Sequence, residues 1–111
     1  MNRLFKPATL ASLGLLALSG LTVTAAHAQD AAALKSRSLA ATCASCHGTS
    51  GRAVEGAAVP GLAGMPAAYM VEQMKAFKSG ARTATVMHQI AKGYSDAQVD
   101  QLAAWFAAQK K

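Results

Sequence analysis

The chain has 111 residues, 52% of them hydrophobic and 14% charged, with a formal charge of +6 at neutral pH, which suits one small domain rather than two. Two cysteines exclude a disulfide framework, and the scattered lysines and arginines form no cluster of the kind that grips nucleic acid.

Arg3 and Lys6 precede a small, apolar stretch from Leu10 to Ala26, and Ala26-His27-Ala28 has the small-x-small form of a signal peptidase site. Residues 1–28 therefore read as a secretory signal, cleaved to leave 29–111 as one domain in the bacterial periplasm. A retained membrane anchor is the competing reading. It is disfavoured because Ser12, Gly14, Ser19, Gly20, Thr22 and Thr24 interrupt the apolar run, so no stable membrane insertion is expected. Loss of Arg3 and Lys6 lowers the charge to +4, a mildly basic surface suited to an acidic protein partner. Removing 28 of 111 residues leaves 83, near the size at which an apolar core alone becomes marginal.

Asp30 is expected to cap a helix that passes through Leu34, Leu39 and Ala40 directly into Cys43. There, Cys43-Ala44-Ser45-Cys46-His47 is the attachment pattern for a c-type haem. Residues three apart on a helix share a face, so both sulfurs can reach the two vinyl groups along one porphyrin edge, and His47 follows as an iron ligand. The covalent haem would also supply apolar surface that the small core lacks, on the order of a few kcal/mol. Structural zinc needs four ligands, and only three cluster here. A thioredoxin-like dithiol needs a βαβ frame, and no alternating strand pattern occurs.

From Gly48 to Met65, five glycines and Pro60 predict a long irregular loop, which could wrap the edge and proximal side of the haem. The Pro60 carbonyl is the expected acceptor for the second ring N–H of His47, since proline offers a carbonyl and donates nothing. Leu62 would then lie against the ring. Pro66 is expected to start a helix at its first position, with Gly80 closing it. Met70, Met74 and Phe77 make an apolar stripe within it, read as core. Residues 81–85 predict a turn, and Val86 to Lys92 a short helical stretch ended by Gly93. Ser95 and Gln98 predict a capping box for the last helix. Its inner stripe is Val99, Leu102, Ala103 and Phe106, with Trp105 at the border. The fold class is all-α, about four helices with one long loop around one haem.

For the sixth iron ligand the candidates are Met65, Met70, Met74, Met87 and His88, since His27 leaves with the signal. Met87 follows His47 by 40 residues, enough chain to circle the ring, and is preferred. His88 is the alternative, with a solvent-facing role otherwise. A thioether favours reduced iron and raises the potential relative to two histidines. It would also close the position that a peroxidase keeps open.

With the attachment motif, Pro60-Gly61-Leu62, Met87 and the aromatic last helix, residues 30–109 resemble the class I c-type cytochromes. The resemblance implies that fold, with haem c bound by Cys43 and Cys46 and axial ligation by His47 and Met87. It implies Pro60 as the acceptor for His47, and first and last helices that cross, with Leu39 and its neighbours against Trp105 and Phe106. The segments from Gly64 to Tyr69, Phe77 to Arg82 and Met87 to Ser95 look like periplasmic c553-type cytochromes and the cytochrome subunit of flavocytochrome sulfide dehydrogenase. In that setting Arg82 belongs near a propionate or the distal loop, or else is a solvated charge. The function implied is single-electron transfer between redox proteins rather than catalysis. The alternative is a haem subunit docked on a catalytic flavoprotein.

Overall fold

The computed structural model describes residues 15–111, with only the backbone described for residues 15–26. Residues 1–14, half of the signal sequence expected over 1–28, therefore fall outside the described residues. The chain separates into two compact units at Ala33 and Leu34, and every element of the candidate site lies in the second, Leu34–Lys111.

Helix α1 is Leu15–Ala41, so Asp30 stands within a helix instead of capping its start. No proline interrupts the stretch before Asp30, and an interior helical N–H bonds to the carbonyl four residues back, which removes the need for a cap. Nor does α1 run straight into Cys43. It stops at Ala41, the chain turns through Thr42 and Cys43, and a one-turn helix α2, Ala44–His47, follows. A 3-10 turn at Thr49–Gly51 comes next. After the irregular loop, α3 is Ala67–Ser79, preceded by Pro66 at the N-cap and ended by Gly80 in the left-handed conformation at φ 85°. Helix α4 is Met87–Ile90 and passes into a 3-10 turn, Ala91–Gly93. Helix α5 is Asp96–Ala107. Five α-helices thus stand among the described residues instead of four, the extra one being the single turn inside the attachment motif.

The last helix is built as its sequence dictates. Ser95 Oγ accepts from Gln98 N–H, and the Gln98 side chain accepts from Ser95 N–H, so two otherwise orphaned donors are satisfied together. Val99, Leu102, Ala103 and Phe106 recur on one face and are all buried, Phe106 to 1% exposure. Phe106 meets Trp105 edge to face with centroids 4.9 Å apart. The core formed by Ala40, Met70, Leu102, Ala103 and Phe106 joins the end of α1, α3 and α5, with Leu39 and Trp105 at its margin. Gln101 Nε2 donates to Ser36 Oγ at 2.8 Å, a further tie between α5 and the end of α1. Among the described residues no helix is long and apolar enough to cross a membrane.

Candidate functional site

His47 is a polar residue buried in this small core, 8% exposed, at the end of α2. Its backbone N–H donates to Cys43 O at 3.0 Å, so the same turn that spaces the cysteines sets the histidine. Nδ1 lies 2.7 Å from Pro60 O. A proline carbonyl can only accept, so Nδ1 is the donor to it, which leaves Nε2 as the ring nitrogen on the side open to a metal.

The Pro60 carbonyl is held there by backbone. Gly51 O accepts from Leu62 N–H at 2.8 Å and Ala63 N–H at 3.1 Å, and Gly64 N–H donates to Phe106 O at 2.9 Å. The loop is thus clamped between the turn after His47 and the end of α5. Gly51 permits the approach: its φ is +76°, and a Cβ there would stand 2.8 Å from Phe106 Cδ1 and 2.9 Å from Ala63 N. Leu62 is partly buried and packs on the core beside Cys43 and Met65.

Cys43 is half-buried and Cys46 exposed, both as free thiols. Burial pushes the Cys43 thiol above its ordinary value, the hydrogen bond with Thr42 pulls part of the way back, and neighbouring Cys46 adds to the rise. Cys43 is therefore a protonated thiol at neutral pH. Among the described residues no three His, Cys, Asp or Glu side chains lie close enough together to hold a metal ion by themselves.

Of the candidate sixth ligands, Met70 is core, 6% exposed, and Met65 packs against that core. Met74 is half-buried on α3. Met87 is half-buried at the first position of α4, and Val86 and Ile90 on either side of it in sequence leave apolar surface exposed, 52% and 42%. His88 is not the solvent-facing side chain expected of it. It is half-buried, and its Nδ1 is a buried nitrogen without a hydrogen-bond partner among the described residues.

Three side-chain contacts flank the Met87 segment. Arg82 is exposed, yet it lies over the Phe77 ring, 4.6 Å from its centroid, and donates to Gln73 Oε1, so it is not free. Tyr94 OH sits 2.8 Å from Thr42 Oγ1. Thr42 carries no motif signal. The helical spacing of Gln73 and Phe77, four residues apart, was the available hint that one side chain could touch both.

A buried imidazole with a free Nε2, two free thiols three residues apart and apolar surface beside a thioether make a donor set that fits a covalent haem and its iron. Comparison with known proteins agrees. Residues 32–110 match the family Cytochrome c. The chain is 42% identical over 71 residues to a thiosulfate dehydrogenase electron acceptor of Thiomonas intermedia, covering 64% of this chain and 33% of that one. It is 37% identical over 68 residues to the cytochrome subunit of sulfide dehydrogenase of Chlorobaculum tepidum, covering 61% of this chain and 60% of that one. It is 35% identical over 72 residues to cytochrome c-554(548) of Halomonas halodenitrificans, covering 62% of this chain and 86% of that one. The chain spans about a third of the length of the thiosulfate dehydrogenase electron acceptors that it matches. It belongs to the cytochrome c family, all-α proteins that bind haem c covalently and transfer electrons.

Proposed function

We propose that this chain is a periplasmic single-electron carrier, exported by residues 1–28, with haem c joined to Cys43 and Cys46 and its iron bound by His47 and Met87. The observation that carries the reading is the buried His47 imidazole, its Nδ1 held on the Pro60 carbonyl at 2.7 Å. When bound, the haem supplies a reversible one-electron iron couple. The chain's residues set its terms. Donation from Nδ1 to Pro60 orients the ring and makes Nε2 a stronger donor to metal. A Met87 thioether favours the reduced state and leaves no position for a substrate. Cleavage after Ala28 would return Asp30 to the start of the first helix, where its carboxylate can cap the exposed N–H groups. The mildly basic surface suits an acidic redox partner.

Met87→Ala is the direct test. The weak long-wavelength absorption of iron–thioether bonding should vanish and the potential should fall; retention of both would remove Met87 from the site. A second reading, a haem subunit held on a flavoprotein, is favoured by the likeness to a sulfide dehydrogenase cytochrome subunit. Co-elution of the native protein with a flavoprotein at high salt would select it over the free carrier.

A further inference from the structure

The segment from Arg82 to Tyr94 packs on α3, and Tyr94 on the core, but few bonds of its own hold it. Helix α4 is four residues long with no side-chain cap, and Ala91 is the buried residue of the segment, contributing one methyl group. Gln89 and Ile90 bond back to Val86 O, and Tyr94 N to Ala91 O, all inside the segment. Such a stretch would open readily if these were its only restraints.

Its two ends are tied to rigid neighbours by side chains. At the first end, Arg82 donates its backbone N–H to Ala76 O at 3.1 Å, its guanidinium to Gln73 Oε1, and lays its planar face over Phe77, so three residues of α3 grip one arginine. At the other end, Thr42 Oγ–H donates to Leu39 O at 2.7 Å, which leaves its oxygen to accept from Tyr94 O–H at 2.8 Å. Thr42 immediately precedes Cys43. The Tyr94 bond therefore fastens the end of the Met87 segment to the turn that carries the haem-attachment motif, across 52 residues of sequence.

We propose that Arg82 and Tyr94 are positioning residues that pin the two ends of the Met87 segment and so keep its thioether from being displaced at the iron. The inference rests on the Met87 ligation proposed above. Releasing either clasp lets the segment open more often, and an external ligand captures the iron during those openings.

The test is imidazole titration of the purified holoprotein, read in its absorption spectrum, with amide hydrogen exchange of residues 83–93 followed in parallel. Arg82→Ala and Tyr94→Phe should each tighten apparent imidazole binding by roughly 3- to 10-fold, the loss of one net hydrogen bond, and speed exchange in the segment. Arg82→Lys should behave like Arg82→Ala, since it keeps the charge and loses the planar face. Thr42→Val combined with Tyr94→Phe should do no more than Thr42→Val alone, because the Tyr94 bond is already lost in that single variant. Gln101→Ala, which weakens the fold at Ser36 away from the segment, should leave imidazole binding within about twofold of native, as expected for a site sharing no partner with either clasp. Native affinity in both Arg82→Ala and Tyr94→Phe, full restoration by Arg82→Lys, or an equal shift in Gln101→Ala would overturn the proposal. Met87→Ala in the same titration separates the two levels. If it binds imidazole no more tightly than native, the ligation reading itself fails; if it binds tightly while the clasp variants do not change, only the positioning roles fall.

Discussion

The two halves of the site are built from different materials. Around His47 the restraints are backbone: Cys43 O, the Gly51 carbonyl with its two donors, and the link from Gly64 to Phe106. Around Met87 one backbone bond, Arg82 N–H to Ala76 O, is joined by side chains of α3 and by Thr42. Backbone bonds form wherever the chain can adopt the shape, so the first half depends on glycines in rare conformations and tolerates many side chains. The second half depends more on particular functional groups. That contrast suits the ligation proposed above, with His47 on the fixed side and Met87 on the adjustable one.

The comparison can be broken most severely at the attachment motif. Cys43→Ser with Cys46→Ser should leave no covalently bound haem and a mostly unfolded chain, read by haem staining of a denaturing gel and by far-ultraviolet circular dichroism. A stable helical apoprotein would show that the protein core needs no cofactor. A matched pair of glycine substitutions sharpens the contrast next. Gly51→Ala places a Cβ 2.8 Å from Phe106 Cδ1 at a φ of +76°, and should cost about 2–4 kcal/mol in denaturant unfolding from left-handed strain and overpacking together. Gly93, in the distal half, has open space around it and no positive φ. Gly93→Ala should be neutral or stabilise by up to about 1 kcal/mol. Equal losses in the two variants would erase the distinction between the halves.

Ser95→Ala removes one arm of the capping box and should lower stability by about 1 kcal/mol while leaving the haem spectrum unchanged. The smallest effect belongs to Asp96. Its hydrogen bond to Lys78, then the charge of Lys78, holds its carboxyl below the ordinary 3.8. The unfolded chain therefore binds the proton more readily than the folded one, so the contribution is full above pH 3.8 and fades as pH falls through the lower folded value. Asp96→Asn should cost a small amount of stability at neutral pH, with the difference from native disappearing in acid. A difference that grew in acid would contradict the pairing. Because Asp96 is exposed, salt should shrink the effect as well.

What could be read in the sequence follows the reach of each signal. The Ser95–Gln98 cap, the Gly80 stop and the buried stripe from Val99 to Phe106 are encoded within a few residues and appear in the structure where local rules put them. In the full chain the first helix begins before Asp30, because helical sequence precedes it and leaves that residue's capping preference unused. The break at Thr42 and Cys43, and with it α2, carries no glycine or proline to announce it. For His88 the sequence offers an iron ligand or a solvent-facing side chain, and its half-buried placement is decided by what packs around a one-turn helix. The partners of Arg82 and Tyr94 were out of reach for a different reason: a hydroxyl pair 52 residues apart leaves no periodicity to detect.

The bonds that gather distant parts of the chain also govern the order of events. Ser36 meets Gln101 across 65 residues, Arg52 meets the Lys110 carbonyl across 58, and Thr42 meets Tyr94 across 52. Contacts so far apart in sequence are slow to form, since a large loop must close before any of them is rewarded. The local helices and the Ser95–Gln98 cap can therefore form first, and the three long-range bonds close the fold last.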